Sequence, residues 1–132
     1  MFLSEWIIFI KRIQVLSQGG KMSETHLLDP IDDGLTLRPS GAWAMQKLDY
    51  LMRYIDVFET SMRQKWQRRA YIDLFAGPGK CVDRKTGEVF LGSPLVALTT
   101  RYPFTEYWFV DKEQPNIDAL SARRTARHIL IG

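Results

Sequence analysis

One cysteine, two histidines and no long apolar run are what this 132-residue chain has little of. Cys81 alone forms no internal disulfide, and one thiol beside two scattered histidines (His26 and His128) offers no metal-ligand spacing. Such cysteine use suits a reducing compartment, so the expected location is cytoplasmic. The densest apolar stretch away from the motifs below, Trp6 to Ile10, is far too short to span a bilayer, and no membrane partner is expected. Nor does that stretch read as a good secretory signal: Met1 to Glu5 has no basic residue, Lys11-Arg12 follows the apolar run, and no small-residue cleavage site is evident. No charge sign dominates. Eighteen Lys and Arg against 15 Asp and Glu leave a net charge of +3, a tilt toward anionic partners without a demand for one. With 45% apolar and 25% charged residues, the composition is that of a globular protein, and the length fits one domain and not two.

The first segment sits oddly. Gly19-Gly20-Lys21 directly before Met22 is what a purine-rich ribosome-binding site looks like when translated in frame. Residues 1–21 are therefore expected to be an upstream extension, with Met22 the natural start. The competing reading is an amphipathic N-terminal helix, since Ile7, Ile8, Ile10, Ile13 and Leu16 have rough helical spacing.

Residues 22–38 form an acidic lead-in, with Glu24, Asp29, Asp32 and Asp33 and breakers at Pro30 and Gly34; it reads as irregular. The domain proper is placed at 39–132. Pro39-Ser40-Gly41 opens a helix with Ser40 as its cap. Trp43, Leu48, Leu51, Met52, Ile55, Phe58, Met62 and Trp66 then recur at three- and four-residue steps, an amphipathic helix to about residue 66. Ala70 to Phe75 reads as a buried strand, 80–92 as a loop with a turn or small hairpin around Asp83 to Gly87, and Ser93-Pro94 as a second helix start. Thr105 to Val110 is a second buried strand ending in Asp111, and a helix follows from Pro115. This order predicts an α/β fold with parallel strands. Two strands are few for such a sheet, and a third is expected to be starting at the final HILIG.

YIDLFAGPGK (71–80) concentrates the chemistry. In α/β sheets ligands lie beyond the carboxyl ends of the strands, and glycines there let a flat group rest on bare backbone. A triphosphate-binding loop fails: Gly79-Lys80 is followed by Cys81, and the earlier glycine position holds Leu74. A dinucleotide fingerprint fails less badly, since Gly77 and Gly79 match but Val82 holds the third position and no helix opens directly after the turn. S-adenosylmethionine has no phosphate and needs no helix end. Its ammonium and sulfonium favour a carboxylate near the strand tip, and its ribose hydroxyls one at the next tip. Asp73 and Asp111 stand in those two places. The plainer readings are an Asp73 that bonds amides of its own turn and an Asp111 that caps the next helix.

DLFAGPG also resembles motif I of class I S-adenosylmethionine-dependent methyltransferases, with Phe75 at the first glycine position. More narrowly, Trp43, LDYLMRYIDVFETSM, Trp66, YIDLFAGPG, GSPLVAL (92–98), YWFVDKE, Asn116 and Ala119-Leu120 resemble the three-Cys-motif partner protein (TcmP) family over roughly residues 35–125. The resemblance implies the N-terminal part of a Rossmann-like sheet and a cofactor-binding set of Asp73, Phe75, Ala76, Gly77, Pro78, Gly79 and Asp111. The first acid and the glycines would line the methionine side, and Asp111 the ribose. It implies a methyltransferase acting on nucleic acid, or alternatively a non-catalytic subunit that binds a three-Cys-motif protein. Substrate-side residues of such enzymes follow later strands that this sequence does not reach, so the chain is expected to be inactive alone. No catalytic residue and no metal ligand is assigned.

The remaining candidates have plainer readings. Lys80, Arg84 and Lys85, with Arg63, Lys65, Arg68 and Arg69, form a possible basic rim for nucleic acid, against a solvated helix end and loop. Trp43 and Trp66 are read as core, and Tyr107 and Trp108 as packing. Cys81, next to Lys80, is read as an ordinary free cysteine over a thiol of lowered pKa.

Overall fold

The computed structural model describes residues 27–126. Residues 1–21, the start of the acidic lead-in, both histidines and the final HILIG lie outside them.

The fold is mixed α/β, the described residues forming eight elements in the order β1 (Arg38–Ser40), α1 (Trp43–Met62), β2 (Ala70–Asp73), β3 (Lys80–Asp83), β4 (Val89–Leu91), α2 (Ser93–Leu98), β5 (Glu106–Phe109) and α3 (Gln114–Ala126). Two small sheets result. β2 and β5 pair in parallel, Ala70 opposite Glu106 through Asp73 opposite Phe109, as the two apolar runs predict. The other sheet has the order β1-β3-β4, with β1 parallel to β3 and β3 antiparallel to β4.

Within the 80–92 segment the hairpin falls where the sequence placed it, around Asp83 to Gly87, and its two strands take up most of the expected loop. Its turn forms because Asp83 Oδ1 accepts from the amides of Lys85 and Thr86 while Gly87, at φ +74°, closes onto the Asp83 carbonyl. Ser40 does not cap α1. It is drawn into β1 opposite Asp83, its hydroxyl faces the Arg38 carbonyl, and the helix starts after Ala42 with no side-chain cap. α2 starts at Ser93-Pro94 as expected, with Gly92 and not Ser93 in the cap position.

Packing follows the predicted apolar face of α1 only in its middle. Ile55 is buried, and Leu51, Phe58 and Tyr54 pack around it with Ala97 and Phe104. Trp43 (60% exposed), in the first turn, and Trp66, past the helix end at Met62 and so outside the helix expected to reach it, are solvent-facing and not core. The inner face of β2-β5 carries an aromatic cluster, with ring centroids of Tyr71 and Phe104 5.5 Å apart and of Phe104 and Tyr107 5.8 Å apart. Such pairs contribute about 0.5–1.5 kcal/mol each beyond area burial. The outer face is bare: Ile72 (61% exposed), Leu74, Trp108 and Val110 meet solvent, so Trp108 does not pack as expected, while Tyr107 does.

The second core gathers Leu27, Phe90, Leu95, Val96 and Leu120. Leu27 and Leu28 correct the view of an irregular lead-in, for Leu28 bridges Phe90 and the Asp29 amide donates to the Val89 carbonyl at 2.9 Å. Its acids are anchored too. Arg123, 2% exposed, donates to both carboxylate oxygens of Asp33 at 2.8 and 2.9 Å and to the carbonyls of Thr36 and Pro78. Lys80, 3% exposed, reaches Asp29, Asp33 and the Ile31 carbonyl. Among the described residues no helix is long and apolar enough to cross a membrane.

Candidate functional site

β2 and β5 run in parallel, so Asp73, the last residue of β2, and Asp111, two residues past the end of β5, both come to the turn formed by 74–79. Both acids converge on that turn. Asp73 Oδ1 accepts from the Phe75 amide at 3.1 Å, and Oδ2 from the Ser93 hydroxyl at 2.5 Å. Asp111 Oδ2 accepts from the Gly77 amide at 2.9 Å, and its Oδ1 from the Glu113 amide and the Asn116 amide nitrogen. The Ala76 amide completes the tie by donating to the Val110 carbonyl at 3.0 Å. The plainer readings of both acids are thus visible in the geometry, and each acid is also a fixed negative charge at a strand tip. The Glu113 amide, followed by Asn116 and the Gly77 amide, holds the Asp111 carboxyl below the usual range. Burial, then the nearby Asp73 charge, pushes the Tyr71 phenol up.

The glycines are needed where they stand. Gly77 (φ +68°) and Gly79 (φ +94°) both occupy the left-handed region. A side chain on Gly79 would also press its Cβ to 3.1 Å from Leu120 and 3.3 Å from Leu95. Gly92 is equally constrained by closeness, since its amide donates to the Gly79 carbonyl at 2.7 Å and a Cβ there would lie 3.0 Å from that oxygen. GPG and GSP are thereby one unit, two turns held back to back by a hydrogen bond. Arg123 holds the same turn from elsewhere through the Pro78 carbonyl at 2.7 Å.

Beside this unit is an open cavity of about 460 Å³, within the ~300–1,000 Å³ of small-molecule sites. Ala76, Pro78, Gly79 and Ser93 form one wall, and β1, the first turns of α1 and the base of the β3–β4 hairpin form the rest. Of the seven residues expected to bind a cofactor, Ala76, Pro78 and Gly79 line the cavity. Asp73 connects to it through Ser93, Gly77 and Asp111 fix the turn, and Phe75 points to solvent. Among the described residues three cations border the cavity, Arg38, Lys47 and Arg84, and no carboxylate does. Arg38 reaches over the turn to the Phe75 carbonyl at 3.3 Å.

The single basic rim does not form. Arg68 pairs with Glu106 and Arg69 with the buried Glu59, Lys80 is internal, and Arg63 and Lys65 follow the far end of a 20-residue helix whose near end borders the cavity. A helix of that length spans about 30 Å. Arg38, Trp43 and Lys47 were not foreseen as site residues. Cys81 is buried in the cavity wall, and burial raises its thiol pKa, in line with an ordinary cysteine. Among the described residues no group of His, Cys, Asp or Glu stands together as a metal site. Compared with protein-family models, with curated proteins and with solved structures, the chain has no match.

Proposed function

We propose that the glycine turn and its cavity bind S-adenosylmethionine, and that the chain serves methyl transfer on a Rossmann-like, TcmP-type scaffold. The observation that carries the reading is the turn itself: left-handed glycines, braced by carboxylates from two adjacent parallel strand tips, forming the wall of a ligand-sized cavity. The donor set fits the cofactor. Arg38 supplies a cation for the amino-acid carboxylate, while Ser93 with Asp73 supplies a hydroxyl and a negative charge for the ammonium. Asp111 stands outside the cavity wall; it uses three protein hydrogen bonds, and an ionised carboxylate has about four acceptor positions, so it serves a ribose hydroxyl only where the bound cofactor extends past the turn. When bound, the cofactor supplies an activated methyl group; the chain's part is to orient it and to hold charge beside it. The same three bonds favour a second reading, in which the acids only build the turn and the fold is a binding subunit for a three-Cys-motif protein.

Calorimetric titration separates the two. S-adenosylmethionine and its demethylated product are expected to bind one per chain and compete, ATP and NAD are expected not to bind, and Arg38→Met is expected to weaken binding roughly tenfold, the loss of one charge-assisted contact. A wild-type chain that melts cooperatively yet binds neither adenosyl ligand contradicts the proposal and leaves the subunit reading.

A further inference from the structure

We infer that the rim of the glycine-turn cavity formed by Trp43, Lys47 and Arg84 docks a single-stranded nucleic acid, with one base stacked on the Trp43 indole. Its role as methyl acceptor rests on the cofactor reading above; the docking itself does not.

The first observation concerns charge. Lys47 comes from α1 and Arg84 from the β3–β4 turn, so the two cations stand on separate elements bordering one cavity. Neither forms an ion pair among the described residues, whereas Lys80, Arg68, Arg69 and Arg123 all do. Unpaired cations around a concave surface that no carboxylate borders raise the local concentration of polyanions.

The second observation is independent of charge. Trp43 belongs to the apolar stripe of α1 by spacing, yet the indole is 60% exposed at the cavity and packs into neither core cluster. Gly41 gives it room, since a Cβ there would lie 3.1 Å from the indole Nε1 and 3.2 Å from Cδ1. The Lys47 ammonium sits 3.5 Å from the ring centroid. An exposed indole with a flexible cation over its face offers what single strands use, a base on the ring and a phosphate near the charge, once the base takes the ammonium's place on the ring. A duplex keeps its bases within the stack and offers the indole nothing comparable. An acidic peptide of the polyglutamate kind would use the cations and leave the indole idle.

Fluorescence anisotropy tests this without any cofactor. Labelled DNA and RNA strands of roughly 12 nucleotides, the matching duplex, and polyglutamate as competitor are titrated at about 0.1 M salt. Single strands are expected to bind with affinity falling steeply with salt. Trp43→Ala is expected to cost about tenfold and Trp43→Phe much less. Lys47→Glu and Arg84→Glu are expected to weaken binding and flatten the salt dependence by about 0.7 of a slope unit for each contact removed. Lys65→Glu, beyond the far end of α1, is expected to stay within about twofold of wild type, the variants being matched by their melting curves. The inference is overturned if single strands do not bind, if the duplex binds more tightly, if polyglutamate displaces the strand at equal charge, or if Lys65→Glu costs as much as Lys47→Glu. Arg38→Met distinguishes the two sites: it is expected to impair the adenosyl ligand far more than the oligonucleotide, and an equal loss of both would merge them and end the separate docking rim.

Discussion

Arg123 and Lys80, next to the glycine turn, carry the same charge as Arg38, Lys47 and Arg84 across the cavity, in opposite circumstances. The first two are buried, and their donors are committed to Asp33, Asp29 and the carbonyls of Ile31, Thr36 and Pro78. The other three border a cavity without a carboxylate, and none forms an ion pair among the described residues. A buried cation must be paired because desolvation costs several kcal/mol per ion. An exposed one pays little and remains available to a ligand. The internal pair therefore belongs to stability and the outer three, on the reading proposed above, to binding, and substitutions on the two sides should separate those properties.

The largest effect is expected at Arg123. Arg123→Met leaves Asp33 short of its main partner and frees the Pro78 carbonyl inside the fold, an expected loss of about 3 kcal/mol by urea denaturation. Lys47→Met and Arg84→Met are expected to stay within about 0.5 kcal/mol of wild type. Equal losses would end the distinction.

Gly79→Ala comes next. It forces a side chain into the left-handed region and its Cβ against Leu120, and about 2 kcal/mol of stability is expected to go. Because Gly79 also lines the cavity, cofactor binding should fall with it.

Acid gives a smaller and graded effect. Hydrogen bonds from Arg123 hold the Asp33 carboxyl well below its ordinary range, and the Glu113 amide does the same for Asp111. Since both folded-state values are depressed, the stability they contribute is fully present above the unfolded value, near about 4, and is lost as pH falls through the depressed ones. Urea midpoints measured from pH 7 to pH 3 should decline below about pH 4, with a shallower decline in Asp33→Asn. A decline as steep in that variant would place the effect elsewhere. The smallest effect is Ser93→Ala, which removes one hydrogen bond to Asp73 and should cost about 1 kcal/mol, read from the shift in melting temperature.

The sequence showed its regular elements well and its long-range ties poorly. The step pattern from Leu48 to Met62, the apolar runs 70–75 and 105–110, and the turn at Asp83 to Gly87 carry local signals, and each matches an observed element. Strand β1 was hidden because Arg-Pro-Ser has neither alternation nor strand-forming side chains; it exists because Ser40 and Arg38 find β3 across the chain. The acids of the lead-in resemble a solvated run because their partners are remote: Asp33 meets Arg123 90 positions away, and the Ile31 carbonyl meets Lys80 49 away. Trp43 fits the apolar stripe by spacing, but it sits in the first turn of α1, where the neighbouring wall is a cavity and not a core. The strand-tip acids were legible at the turn because motif and strand boundary coincide there. What they touch was not, since Asp73 bonds Ser93 and Asp111 bonds Gly77, each through a fold-level approach.

The central claim, that this turn is an adenosyl-binding surface, is tested most directly by amide chemical shifts in ¹⁵N-labelled protein titrated with S-adenosylmethionine. The account predicts saturable shifts concentrated at Gly77, Gly79 and Ser93 and at the side chain of Arg38, with the amides of the β3–β4 turn and the far end of α1 little changed. Shifts scattered over the surface, or absent at those three amides, would contradict it.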